Sequence, residues 1–348
     1  MPAARWYLPM SPDLSPDHCV FAPLAIVPVY DHQDAIEAVV AGLRAAGLSC
    51  LLVDDGSGSR CAEVLSRLAL QVDVELLRLD INQGKGAAMQ ADFILDASGF
   101  ARLLPRLLKL ESPSNFPVRG AIFCHVRDHI PFGKGFDRNK ILITTHPEHL
   151  DVWYWTIPFS DNTCSQGVVA EQAFFDRYPG DDLQKLQQIV GEDPNLAHLL
   201  AKAEWAVQPV RRITGYSANV TSLHGAGYAL LGNAGEFLDP VFSSGVTIAF
   251  KSAQLACDCL RRQYDGESVD WERDFSVPLR AGIGTFRRFV ESWYQGGFQD
   301  VIYHPRQSPE VREMICSILA GYAWDSENPY VADHSGRRLH ALERLCAG

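Results

Sequence analysis

Between Leu24 and Leu79 the apolar spacing changes from the two-residue period of a strand to helical spacing and back, twice over. LAIVPVY reads as a buried strand, DAIEAVVAGLRAAG as a helix stopped at Gly47, SCLLVDD as a second strand, RCAEVLSRLAL as a second helix and DVELLRL as a third strand. Strands that alternate with helices run parallel and are joined by right-handed crossovers. The fold class is therefore α/β, opening with a Rossmann-like β-α-β-α-β unit. The second strand ends in Asp54 and Asp55, followed by GSGS, at the carboxyl edge where open α/β sheets receive nucleotides.

The alternation then breaks. NQGKGAAMQADFILDASGF, residues 82–100, starts as a glycine-lysine loop entering a small-residue helix and ends as a buried strand, with no helix of ordinary length between them. The chain as a whole is an ordinary globular one: 348 residues, 47% hydrophobic and 21% charged, with room for one large or two modest domains. A net charge of −11 and a pI near 5.4 argue against a nucleic-acid or anionic-membrane surface. No apolar run is long enough for a membrane span. MPAARWYLPMSPDLSPDH has too little apolar sequence before its prolines for a secretory signal, so residues 1–21 read as a leader. Nine cysteines, none in C-x-x-C spacing, point to reduced thiols in a cytoplasmic protein.

VPVYDHQDAI, LLVDDGSGS and NQGKGAAMQA together resemble the opening of family 2 glycosyltransferases, over residues 22–91. The resemblance implies sugar-nucleotide contacts at Pro28, Tyr30, Asp54 and Asp55, with Gly84, Lys85 and Gly86 in the later loop; Asp31 stands where that family more often has Asn. A transferase of this type next needs an Asp-x-Asp pair to hold a divalent cation against the leaving diphosphate. LDASG puts Ser98 in place of the second carboxylate and comes too soon after Gly86. One carboxylate is a poor magnesium site, so no metal and no sugar transfer are expected.

From Asp92 to the end a second resemblance takes over. ADFILDASGFARLLPRLL is similar to the middle of flavin-dependent halogenases and related monooxygenases, where a strand ends in Asp-x-x-Gly, here Asp96 and Gly99. WYWTIP, residues 153–158, resembles the halogenase W-x-W-x-I-P signature, with Val152 where Gly usually precedes it. YALLGNAGEFLDPVFSSGVTIAFKSA, residues 228–253, resembles the second flavin-contacting segment of the same superfamily. DWERDF, FRRFVESWY and ICSILAGYAWDSENPYV fit its closing segments. For residues 92–348 the resemblance implies an FAD-dependent oxidoreductase of the halogenase or monooxygenase type, with a mixed sheet, a helical carboxyl-terminal region, a small-molecule or carrier-bound substrate and a flavin reductase as possible partner. It places cofactor contacts at Asp96, Gly99, Gly232, Asn233, Ala234, Asp239, Pro240, Ser243, Ser244, Gly245 and Val246.

These residues make chemical sense on their own. YALLGNA reads as a strand ending in Gly232 and Ala234, small enough for a ligand to approach the backbone. Asp239 and Pro240 open a turn, and SSG leads into a helix from about Val246 to Arg261. The free N–H groups of Ser244, Gly245 and Val246 would stabilise the negative N1–C2 edge of a reduced flavin. Asn233 or Asp239 could hydrogen-bond the ribityl chain. The plainer alternative is an ordinary strand–turn–helix corner. Trp153 and Trp155 share one face of a strand, which is either simple core filling or, with Ile157 and Pro158, the wall of a passage between flavin and substrate.

The glycine-rich dinucleotide turn is missing. No G-x-G-x-x-G follows any predicted strand, and the first turn, PVYDHQD, carries two aspartates where a pyrophosphate needs bare amides. Weak FAD binding through the isoalloxazine end is the expectation. The lysine that halogenases use to position hypohalous acid would lie in the absent half, and Lys85 is no substitute for it. The chain thus reads as two incomplete units fused near Met89–Asp92: an FAD-dependent oxidoreductase first, a sugar-nucleotide transferase second, a non-catalytic hybrid third. Cys124, His125, His129, His146 and His149 lack a zinc spacing, and Arg287 and Arg288 read as the solvated face of an aromatic helix.

Overall fold

The computed structural model describes residues 24–78, 93–130, 136–306 and 308–347. The leader, the Gly84–Lys85–Gly86 loop and the Met89–Asp92 junction lie outside the described residues. The chain divides into two compact units, residues 1–92 with 260–268 and residues 93–259 with 269–348.

In the smaller unit, β1 (Leu24–Val29), α1 (Ile36–Ala45), β2 (Ser49–Asp54), α2 (Ser59–Leu68) and β3 (Val74–Arg78) follow the sequence pattern closely. The strands are parallel with β2 central, in register from Leu24 opposite Ser49 to Val29 opposite Asp54. Both helices present their apolar stripe to one core, formed by Val29, Ile36, Val40, Cys50, Leu52, Cys61, Leu65, Leu68 and Val74. Gly47 takes the left-handed conformation (φ +77°) that closes α1, which a β-carbon would disfavour.

The larger unit is built on a five-stranded antiparallel sheet, in the order Arg211–Thr214, Arg119–Arg127, Thr163–Glu171, Trp153–Pro158, Leu142–Thr145. Strand alternation gives the sheet two buried faces. Ile122, Cys124, Tyr154 and Val168 pack against Leu186, Ile189 and Val190 of the Asp182–Glu192 helix. Ala121, Trp153 and Val169 face the main core, which holds Phe275, Phe286, Phe289 and Phe298 from the carboxyl-terminal helices. A second, three-stranded sheet pairs β4 (Ile94–Asp96) in parallel with Tyr228–Leu230, whose other edge carries His224–Gly225.

Three local expectations change. The Tyr228 strand stops at Leu230, and Gly232–Ala234 forms a 3-10 turn because Gly232 adopts φ +51°. The following helix runs from Ser244 to Tyr264, longer than the apolar pattern at both ends. Arg287 is not solvated: its side chain is only 20% exposed, paired with Glu236 and lying over the Phe116 ring.

Packing between neighbouring strands depends on Gly167, opposite Trp155, where a β-carbon would overlap the indole ring. Gly167→Ala is expected to lower stability by about 1–3 kcal/mol through overpacking, measured as a reduced urea midpoint with changed tryptophan fluorescence; an unchanged midpoint would contradict this packing.

Candidate functional site

β4 and the Tyr228–Leu230 strand end at the same level, Leu230 opposite Asp96. Asp96 is buried, and both its carboxylate oxygens are used: Oδ1 accepts the Ser98 N–H at 2.8 Å and Oδ2 the Leu104 N–H at 2.8 Å. Asp96 therefore folds its own loop rather than facing a ligand. Gly99 adopts φ +60° within that loop. The loop delivers Arg102, 5% exposed, to the interior. Its guanidinium donates to the carbonyls of Asn233 (3.1 Å), Ala234 (3.3 Å), Gly235 (3.3 Å) and Asn219 (2.8 Å), and to Glu111 Oε1 (3.2 Å).

Gly232 is small for the protein's own sake. A β-carbon there would sit 2.9 Å from Ala249 Cβ on the Ser244–Tyr264 helix. The Gly232 N–H donates to Ser252 Oγ (2.9 Å), and that hydroxyl donates to the Ala249 carbonyl (2.8 Å). Ala234 is likewise fully buried. The backbone approach expected of a ligand is made instead by a helix.

Asp239 is also turned inward. It is 1% exposed; Oδ1 accepts the Val241 N–H (3.0 Å) and Oδ2 accepts the Tyr294 hydroxyl (2.9 Å). The Tyr294 oxygen in turn accepts the Trp153 indole N–H (2.9 Å), and the Arg119 guanidinium lies 3.4 Å over the Tyr294 ring. Burial pushes the Asp239 carboxyl up to about 6, against the opposing pull of the Val241 and Tyr294 hydrogen bonds and the Arg119 charge. Burial, then the Asp239 charge, holds Tyr294 well above the ordinary phenol range. Asp239 is thus a core residue whose carboxylate is bonded to the protein's own groups.

The residues left on the outside define a smaller corner. Ser243 is exposed, Gly245 and Asn233 are half-buried, and Val246 is 66% exposed at the start of a 21-residue helix. Ser244 is buried beneath them and Pro240 half-buried beside them. A β-carbon on Gly245 would meet the Phe237 ring at 3.3 Å and Asn233 Oδ1 at 3.5 Å. Phe237 carries Phe100 edge-on, with ring centroids 5.1 Å apart. Apolar rings, an amide side chain and a helix N-terminus together suit a planar heteroaromatic ring with one electron-rich polar edge. Sequence reasoning missed Phe100, Phe237 and Arg102; the carbonyls Arg102 holds, on Asn219 and Asn233–Gly235, lie more than a hundred positions away, beyond any local period.

Trp153 and Trp155 do share a face, with centroids 5.9 Å apart. Trp153 is sealed in the main core; Trp155 is half-buried, donates to Ser165 Oγ (3.0 Å) and leans on Phe123. Ile157 and Pro158 are half-buried at the strand end.

In the smaller unit the first turn does not fit a pyrophosphate. Asp31 adopts φ +52°, its N–H donating to Ser57 Oγ (3.1 Å) and its carboxylate accepting the Gly58 N–H (2.9 Å). The Ser57 N–H donates to Asp54 Oδ1 (2.9 Å) and the Asp55 N–H to the Val29 carbonyl (3.0 Å). The amides are engaged, and the carboxylates of Asp31, Asp54 and Asp55 oppose a second negative charge. Asp54 and Asp55 are buried, Pro28 half-buried and Tyr30 exposed; Arg78 lies 3.5 Å from Asp54 Oδ2. Among the described residues no group of three His, Cys, Asp or Glu side chains could hold a metal, and no helix is long and apolar enough to cross a membrane.

Residues 63–301 match the tryptophan halogenase family, and the chain belongs to that family. Residues 24–93 also match glycosyl transferase family 2, so the two matches overlap. The chain is 27% identical over 311 residues to the 1H-pyrrole-2-carbonyl-[peptidyl-carrier protein] chlorinase of Pseudomonas fluorescens, covering 83% of this chain and 64% of that protein. It is 28% identical over 228 residues to the tryptophan 2-halogenase of Chondromyces crocatus, covering 61% and 41%. It thus spans less than two thirds of these curated relatives. Among solved structures, a flavoprotein/dehydrogenase from Cytophaga hutchinsonii superimposes with a TM-score of 0.74 at 26% identity, over 93% of this chain and 98% of that one. The flavin-dependent brominase Bmp2 shares the fold, with a TM-score of 0.61 at 19% identity over 92% and 99%.

The buried carboxyl of Asp239 makes stability depend on pH. Its folded pKa, about 6, lies above the ordinary 3.8. Its contribution is therefore fully present below pH 4 and lost as pH rises through 6. Asp239→Asn should remove that dependence, so the stability of the variant relative to the parent should improve by about 1–1.5 kcal/mol between pH 5 and pH 7.5. Urea unfolding at the two pH values measures it, and a constant difference would mean that Asp239 does not titrate in this range.

Proposed function

We propose that the protein is an FAD-dependent oxidoreductase of the halogenase or monooxygenase type, holding flavin mainly by its isoalloxazine and ribityl end. The observation that carries this reading is the corner formed by Phe100, Asn233, Phe237 and the first turn of the Ser244–Tyr264 helix. Bound flavin would supply redox chemistry toward dioxygen that no side chain can. The chain's part is to place that ring: amides of Ser244, Gly245 and Val246 favour the electron-rich N1–C2 edge, Asn233 offers the ribityl chain a partner, and Val246 with the two phenylalanines excludes water. Trp155, beside Ile157 and Pro158, would line the way to the substrate, with Trp153 as its packed support.

The substrate we propose is a small aromatic molecule, free or bound to a carrier protein. The names of the chlorinase from Pseudomonas fluorescens and the brominase from Pseudoalteromonas luteoviolacea both specify pyrrole-carbonyl groups on a peptidyl-carrier protein. A separate flavin reductase is the proposed partner and the cytoplasm the proposed setting. We further propose that residues 22–91 form a nucleotide-fold unit and residues 92–348 the flavoprotein unit. The transferase reading is not favoured: its match ends at residue 93, and among the described residues no group of three His, Cys, Asp or Glu side chains could hold a metal.

Titration of FAD and FMN against the purified chain, followed by flavin fluorescence, tests the reading. Lost charge-assisted bonds to the pyrophosphate are worth about 1.5–3 kcal/mol each. FAD should therefore bind only in the micromolar range, within about tenfold of FMN, and Gly245→Trp should weaken both. Submicromolar FAD binding with strong preference over FMN would show that a pyrophosphate is gripped after all. No flavin binding of either kind, or manganese-dependent turnover of a UDP- or GDP-sugar lost in Asp55→Ala, would overturn the assignment.

A further inference from the structure

The proposed flavin corner lies on a short 3-10 turn that has few bonds of its own. Within Gly232–Glu236 the amides of Gly235 and Glu236 return to the Gly232 carbonyl. The carbonyls of Asn233, Ala234 and Gly235 remain, and all three converge on one nitrogen of Arg102. The other terminal nitrogen holds the Asn219 carbonyl, and Nε holds Glu111. Arg102 stands in the left-handed region (φ +48°, ψ +54°) at the head of the Leu103–Leu107 helix. It is held there by Asp96, whose carboxylate takes the Leu104 N–H, and by Ser98, whose hydroxyl takes the Leu103 N–H (2.9 Å).

We infer that Arg102 is the positioning residue of the flavin corner: it joins the Asp96–Gly99 loop to the Gly232–Gly235 turn and so fixes Asn233 against the helix N-terminus. Only a planar fork of five donors can satisfy this many oxygens from one direction, and a lysine offers three donors from a single point. The inference rests on the reading of the corner as a flavin site. A purely structural arginine would hold the turn without affecting what binds beside Asn233, and the two roles separate experimentally.

Arg102→Gly suits the test because glycine accepts φ +48° without strain, leaving a guanidinium-sized space. Hydrogen exchange over residues 231–237 should quicken at least about tenfold in this variant, while the Trp153–Pro158 strand is unaltered. FMN affinity should fall by about tenfold or more. About 10 mM guanidinium chloride should bring both back toward the parent values and leave the parent unaffected. Arg102→Lys, should the glycine variant not fold, is expected to show the same two losses in smaller measure. Unchanged exchange in the folded variant would overturn the inference, and so would faster exchange with undiminished FMN affinity. If the parent binds no FMN, the flavin reading fails, and Arg102 as a positioning residue for flavin fails with it; the exchange result then decides only whether it clamps the turn.

Discussion

A carboxylate stands in the middle of the larger unit, and the surrounding structure is arranged to tolerate it. An isolated buried charge costs several kcal/mol, so Asp239 needs partners that reach it without water. It finds the Val241 amide on its own turn and the Tyr294 hydroxyl on the Val277–Tyr294 helix. Tyr294 is shared with Trp153 on the antiparallel sheet and covered by Arg119 on the neighbouring strand but one. One polar chain thus ties the sheet, the helical region and the Gly232–Val246 segment together. Each member is restricted by the next, which is what a buried network gives in exchange for its desolvation cost. The segment that carries the proposed flavin contacts is anchored from behind by Asp239 and from the side by Arg102, and its outer surface is left to whatever binds.

Each unit, taken by itself, offers a nucleotide cofactor different chemistry. In the larger unit the proposed corner offers a flavin ring a helix N-terminus and apolar rings, both of which favour it without any charged side chain. The diphosphate end requires amides with no partner of their own. In the smaller unit those amides are already committed to Asp31, Asp54 and Ser57. Asp31 explains itself locally: short polar side chains are among the few that tolerate φ +52°, and its carboxylate then takes the Gly58 N–H just ahead of α2. A turn completed by its own side chains is stable and closed to phosphate.

How much of this was legible in the sequence follows from the range of the forces. Strands and helices of the smaller unit are set by apolar spacing within a dozen residues, and the expected elements agree with the observed ones to within a residue or two. The shared face of Trp153 and Trp155 is legible for the same reason, since alternation along a strand is a purely local rule. The site was legible only in outline. Gly232 looked like a place for a ligand because a small residue advertises close approach without saying of what; the approach is Ala249's. Asp239 looked like a ligand contact because its partners, Tyr294 and Trp153, lie 55 residues and more away. Arg287 looked solvated for want of Glu236 in the local pattern.

The overlap between the two family matches has a physical origin in the same distinction. The halogenase match begins at residue 63, inside α2, while the transferase match runs on to residue 93. Over residues 63–78 the chain is a helix and a parallel strand with Leu65, Leu68 and Val74 turned to a common core. A β-α-β crossover demands that spacing whatever its ligand, so this stretch satisfies both families at once. What separates them is turn chemistry: glycines and bare amides for a dinucleotide, carboxylates for a base and ribose. The turn after β1 carries the Asp31 carboxylate, bonded to the Gly58 amide, whereas the proposed flavin corner sets Gly245 and Asn233 beside a helix N-terminus. Function has to be argued at those few turns, because the periodic residues between them are held in place by packing alone.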